Sequence, residues 1–154
     1  MTDYTVSSGV ISSGFTLSAG NQLTIMSGGE TIGTLVEAGG IENVSSGGMA
    51  SGEVISGGEY LYSGGRAASA TVGDGGYMVV YAGAAISAVS VGRGGAVNVW
   101  GTATGVALNN GGTLDVFSGG RAVAAVVKTG SEQVISILKR IPGVPAEEVA
   151  AALV

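Results

Sequence analysis

Apolar and polar residues alternate in short runs along most of this chain, and glycine pairs separate the runs. Gln22-Leu23-Thr24-Ile25, Glu59-Tyr60-Leu61-Tyr62 and Leu114-Asp115-Val116-Phe117 are representative. Alternation of period two is the signature of a strand with one face buried. Taking the first glycine of each pair, the breaks fall at 28, 39, 47, 57, 64 and 75, a long step followed by a short one. One long plus one short step is 17 to 19 residues. A recurring unit of that size predicts a solenoid, in which each turn stacks on the last.

Overlaying the turns gives columns. One holds Ile25, Val44, Leu61, Val80, Val99 and Val116, apolar in every turn and assigned to the core. Two residues earlier stand Leu23, Glu42, Glu59, Met78, Val97 and Leu114. The two glutamates are expected at the start of their strands, where the carboxylates reach water. After the core residue come Met26, Ser45, Tyr62, Tyr81, Trp100 and Phe117, pointing outward. Rungs about 4.8 Å apart would turn Tyr62, Tyr81, Trp100 and Phe117 into an aromatic ladder, the candidate interaction site. The longer halves place Gly52/Val54, Ala70/Val72, Val89/Val91, Val106/Leu108 and Ala125/Val127 inward. Ala67, Ala103 and Ala122 recur further back, so opposing sheets could approach closely and give a flat cross-section.

The predicted fold is therefore all-β: a right-handed parallel β-solenoid of about six turns with a flat, two-sheet cross-section and a short C-terminal helix. Residues 1–19 read as an opening half turn, 20–136 as the repeat domain and 137–154 as a cap or tail. Pro145 suits a first helical position and Glu147-Glu148 a first turn, which predicts a helix over 145–154. Pro145, Val149 and Leu153 are the candidate cap residues. A tail used for docking or export, or a fused segment, is the rival reading.

Composition narrows the function. The 30 glycines do not recur every third residue and there are 2 prolines, which excludes collagen. A net charge of -5 argues against nucleic acid and anionic membranes as partners. Residues 1–65 carry Asp3, Glu30, Glu37, Glu42, Glu53 and Glu59 and no Lys or Arg, so a rod would have an acidic end and a mildly basic one. The uncharged stretch Gly75–Gly92 is broken by glycines and does not read as a membrane helix. Met1-Thr2-Asp3-Tyr4 lacks the basic start and apolar core of a secretion signal.

Units such as Ser45-Ser46-Gly47-Gly48-Met49-Ala50-Ser51-Gly52 and Gly111-Gly112-Thr113-Leu114-Asp115-Val116-Phe117-Ser118-Gly119-Gly120-Arg121-Ala122 resemble the passenger repeats of AIDA-type autotransporter adhesins. The same kind of repeat precedes self-processing Hint domains in alphaproteobacterial proteins. The resemblance covers roughly residues 5–136. It implies a bacterial surface or secreted setting, adhesion or aggregation, and, as in some members, serines and threonines glycosylated by a dedicated heptosyltransferase. The chain departs from the family in having neither a signal peptide nor a membrane β-barrel, and no Hint domain follows.

Candidate chemistry is sparse. With no His and no Cys, the common triads and thiol enzymes are excluded and zinc is disfavoured. Glu42 and Glu59 on neighbouring rungs have the spacing of a retaining glycosidase pair, about 5 Å, but solvated glutamates at strand starts are the simpler reading. Asp74-Gly75-Gly76 resembles a piece of a calcium-binding repeat that does not recur. No cofactor motif is present. The sequence thus points to a non-enzymatic structural or adhesive solenoid whose partner is itself, end to end or side by side, or a host surface or glycan. A carbohydrate-binding or carbohydrate-active module and a glycosylated repeat scaffold are the alternatives.

Overall fold

The computed structural model describes residues 1–128. They form seven turns of a parallel β-solenoid, right-handed as parallel crossovers are. Three seven-stranded sheets run the length of the rod. The first is built from four-residue strands, from Asp3–Val6 to Thr113–Val116. The second uses three-residue strands, from Ile11–Ser13 to Arg121–Val123, and the third two-residue strands, from Thr16–Leu17 to Val126–Val127. The candidate cap Pro145, Val149 and Leu153 and the helix expected over 145–154 lie outside the described residues.

The expected flat, two-sheet cross-section is replaced by a three-sided one. Each long half bends at a left-handed residue and so divides into two strands. That residue is Gly14, Gly33, Gly52 or Gly105 in four turns, but Ser69, Ala88 or Ala124 in the others. Three of the seven corners carry no glycine, which is why glycine spacing did not expose the bend.

Rungs pair in register, from Asp3 to Gln22, Ile41, Gly58, Tyr77, Ala96 and Thr113. The steps are 19, 19, 17, 19, 19 and 17 residues. The two short ones occur where a corner tightens, at Ser56-Gly57 and at Trp100-Gly101, neither of which has a left-handed residue. At the longer corners the ladder continues through the turn, as in Gly28 N–H to the Gly47 carbonyl at 2.8 Å and Gly47 N–H to that of Gly64 at 3.0 Å. Interior rungs thus pair backbone to backbone with the turns on either side.

The second glycine of a pair has a packing role. A Cβ on Gly40 would stand 2.8 Å from the Leu17 carbonyl carbon of the preceding turn. Only a residue without Cβ lets the chain dip back so close to the turn beneath it.

The core is a continuous column of small and medium side chains. Ile25, Val44, Leu61, Val80, Val99 and Val116 are all fully buried, as their alternation predicted. Ala67 and Ala103 line the second sheet from inside, buried as well. In the third turn the inward pair is Glu53 and Ile55, not Gly52 and Val54; Val54 is 46% exposed. Pairing of Thr71-Val72 with Val54-Ile55 fixes this phase. At the first turn, Tyr4 and Phe15 pack their rings 5.4 Å apart over the mouth of the bore.

Candidate functional site

The outward column after the first sheet forms the predicted ladder. Tyr62 and Tyr81 stack with centroids 5.3 Å apart and planes inclined by 22°. Tyr81 and Trp100 follow at 6.3 Å and 24°, and Trp100 and Phe117 at 4.1 Å and 5°. Tyr62 and Tyr81 are exposed; Trp100 and Phe117 are half-buried. The in-register rung spacing sets the stack, since side chains on successive turns are held about one aromatic thickness and a half apart. The rings spend their faces on one another and present edges to solvent. A sugar stacking on the ladder would need a free face, and the inner rings have none.

A second aromatic contact lies on the outer face of the first sheet. The hydroxyls of Tyr60 and Tyr77 are 2.8 Å apart, with ring centroids 5.7 Å apart, edge to face. The Tyr77 ring lies over Gly58, where a Cβ would come 2.6 Å from its Cζ. The hydrogen bond to Tyr77, then burial, pushes the Tyr60 phenol above its ordinary range.

Beside the ladder runs a column of serines. Ser8, Ser27, Ser46 and Ser63 occupy the same exposed corner of turns 1 to 4. Each faces a glycine of the next turn: a Cβ at Gly28 or Gly47 would lie 2.7 Å from the Oγ of Ser8 or Ser27. Glycine at that corner leaves the hydroxyl of the turn below open to solvent.

The glutamates correct the sequence reading. Glu42 and Glu59 are fully buried, not solvated at strand starts, and Glu53 is buried with them. Glu42 pairs with Leu23 below and Glu59 above, and Glu59 with Met78, so the register places both inside. Thr31 Oγ1 donates to Glu42 Oε1 at 3.1 Å and Thr34 Oγ1 to the same oxygen at 3.3 Å. Burial raises the Glu42 carboxyl to about 7 against the two threonine hydrogen bonds. Burial, then the Glu42 charge, raises Glu53 to about 8. Glu59 stands well above the carboxylate range, from burial and the charges of Glu42 and Glu53. A glycosidase pair must meet its substrate, and these carboxyls meet no solvent. Glu53 went unnoticed in the sequence, although Thr34 and Glu53 are consecutive polar residues in one column.

Among the described residues, no group of three or more His, Cys, Asp or Glu side chains is arranged to hold a metal ion, and no helix is long and apolar enough to cross a membrane. Asp74 sits exposed at a corner.

No protein-family model matches the chain, and no curated protein sequence matches it. Among solved structures it is similar to the crystal structure of a TibC-catalysed, hyper-glycosylated fragment of TibA. The two share 27% identity with a TM-score of 0.67, over 84% of this chain and 55% of that one. The chain thus spans about half the length of the fragment it resembles.

Proposed function

We propose that this chain is a non-enzymatic, adhesive or self-associating solenoid segment of a bacterial surface or secreted protein. The observation that carries the reading is the Tyr62–Phe117 ladder, an edge-on apolar strip running along four turns beside a fold shared with the TibA fragment. Flat apolar strips on rigid rods favour side-by-side contact, because both partners are already ordered and lose little freedom on docking. End-to-end association draws less support. Of the six acids in residues 1–65, Glu42, Glu53 and Glu59 are buried, so the acidic end shows only half its formal charge. Sedimentation of the wild type and of a Tyr62→Ser/Tyr81→Ser/Trp100→Ser variant tests the reading. Loss of association with the fold retained supports it; a wild type monomeric at all concentrations and salts refutes self-association and leaves adhesion to another surface as the form of the reading to test.

The serine corner favours a second reading, a scaffold that a glycosyltransferase modifies. The similar TibA fragment is hyper-glycosylated by TibC, and Ser8, Ser27, Ser46 and Ser63 stand exposed once per turn. Co-expression with such a transferase and intact-mass measurement would show added sugar, reduced by Ser→Ala changes at these four positions. An unchanged mass excludes this reading.

A further inference from the structure

Among the described residues, the fully buried positions of the bore are apolar except in turns 2 to 4; Ser12, in the Thr31 column at the open first turn, is half-buried. In turns 2 to 4 the inward positions hold Thr31 and Thr34, then Glu42 and Glu53, then Glu59. Ala50, Ala67 and Ala70 are the small inward residues of turns 3 and 4, beside Val44, Ile55, Leu61 and Val72. Glu42 and Glu59 are stacked in one strand column. Glu53 approaches from a different wall, at the corner between the second and third sheets, and no side chain donates to either of its oxygens.

Among the described residues, no cationic side chain shares this space. On the strands packed around it, Glu30 and Arg66 lie on the outer face of the second sheet, half-buried and exposed respectively. Glu37 is exposed and accepts a hydrogen bond from Ser18 at 2.7 Å. Tyr60 and Tyr77 bond each other on the outer face of the first sheet. Asn43 alternates outward between Glu42 and Val44. Among the described residues, no Lys or Arg is buried.

The two threonines both donate to Glu42 Oε1, which equips Glu42 to carry charge. Glu42 Oε2 and both oxygens of Glu59 receive no hydroxyl, amide or guanidinium hydrogen, and Glu53 has only the poorly directed backbone N–H groups of Ser51 and Glu53, which do not outweigh its burial. A carboxyl proton is the donor that would satisfy them, and three adjacent carboxylates without a cation cannot all be ionised in a dry interior.

We propose that this cluster is a proton-operated switch: with two of the three carboxyls protonated, turns 2 to 4 close around them, and loss of those protons drives the turns apart. The rod is then firm in mildly acidic surroundings and loosens in its N-terminal half as they turn neutral to alkaline. The turns above, with Met78, Val97 and Leu114 at the same position, lack the device.

Urea unfolding of the full chain between pH 5.5 and 8 tests this. The chain has no His and no Cys, and ordinary carboxylates titrate below this window, so little else responds there. The unfolding constant should rise roughly tenfold per pH unit for each proton the folded state retains and the unfolded state releases, so about a hundredfold per unit for two. The Glu53→Gln/Glu59→Gln double variant, neutral at those two positions at every pH, should bring the slope to tenfold or less, with Glu42 alone left to titrate. Hydrogen exchange, corrected for intrinsic rates, should show turns 2 to 4 opening at pH 8 ahead of turns 5 and 6. A flat wild-type profile, or a slope undiminished in the double variant, overturns the proposal. So does loss of stability at pH 8 on adding EDTA, reversed by calcium, since a cation would then be neutralising the cluster. If the double variant fails to fold, the wild-type slope and exchange pattern still decide.

Discussion

Glu59 stands one rung above Glu42, Cα paired with Cα across adjacent parallel strands, in a column otherwise filled in turns 2 to 7 by Leu23, Met78, Val97 and Leu114. Replacing a buried charge by an apolar side chain of similar volume removes the desolvation cost and the repulsion together. Glu59→Met, which copies the turn above, should stabilise the fold at pH 8 by about 1–4 kcal/mol. At pH 5, where the carboxyl is already neutral, the gain should be much smaller. Urea midpoints at the two pH values check it; equal gains would mean that Glu59 holds no more proton in the folded than in the unfolded chain between pH 5 and 8.

The pH dependence of melting has a definite sign. The folded-state values of Glu42 and Glu53 are raised, to about 7 and about 8, above an unfolded value of 4.5. Between those limits the folded chain holds more protons than the unfolded one, so stability falls as pH rises. The contribution is fully present below about pH 4.5 and is lost as pH passes through 7 to 8. Tm by circular dichroism should therefore be higher at pH 5 than at pH 8. A Tm that climbs over this range would contradict the burial of these groups.

Two glycines that look alike in sequence should respond differently to alanine. Gly119 has a φ of +87° and nothing within 4 Å of a built Cβ, so Gly119→Ala pays backbone strain alone, about 1–2 kcal/mol. Gly40 would drive its Cβ into the Leu17 carbonyl, which belongs to a rung and cannot yield without breaking register. Gly40→Ala should cost more, on the order of 3 kcal/mol. Equilibrium unfolding of both variants measures the difference.

The aromatic stack can be weighed separately from any contact it makes. Trp100→Ser removes two stacked neighbours, Tyr81 and Phe117, each pair contributing roughly 0.5–1.5 kcal/mol. Tm should fall by several degrees with the far-ultraviolet spectrum retained. If Tm is unchanged while sedimentation shifts to smaller species, the ladder serves contact rather than stability.

Repetition made the architecture readable and local irregularity hid the rest. The column from Ile25 to Val116 and the ladder from Tyr62 to Phe117 were legible because alternation carries directly into register. The third sheet was not, since Ser69, Ala88 and Ala124 turn corners that other turns give to glycine. The phase of Glu53 was lost because the Ser56-Gly57 corner is two residues shorter than its counterparts. Glu42 and Glu59 were placed in water on the general rule that carboxylates seek it. The ladder pairing of neighbouring strands overrides that preference, because moving one side chain out of the bore would turn its whole strand over.

The confinement of fully buried polar side chains in the bore to turns 2 to 4 also bears on how the chain finds its frame. A solenoid of uniform apolar columns could stack displaced by one whole turn and bury nearly the same surface, leaving several alignments almost degenerate. Thr31 and Thr34 meet Glu42 in only one of them. Any displaced alignment strands those hydroxyls against apolar neighbours and Glu42 without its donors. The same side chains that weaken the rod at high pH thus mark, by their unequal cost elsewhere, the one alignment in which its turns belong together.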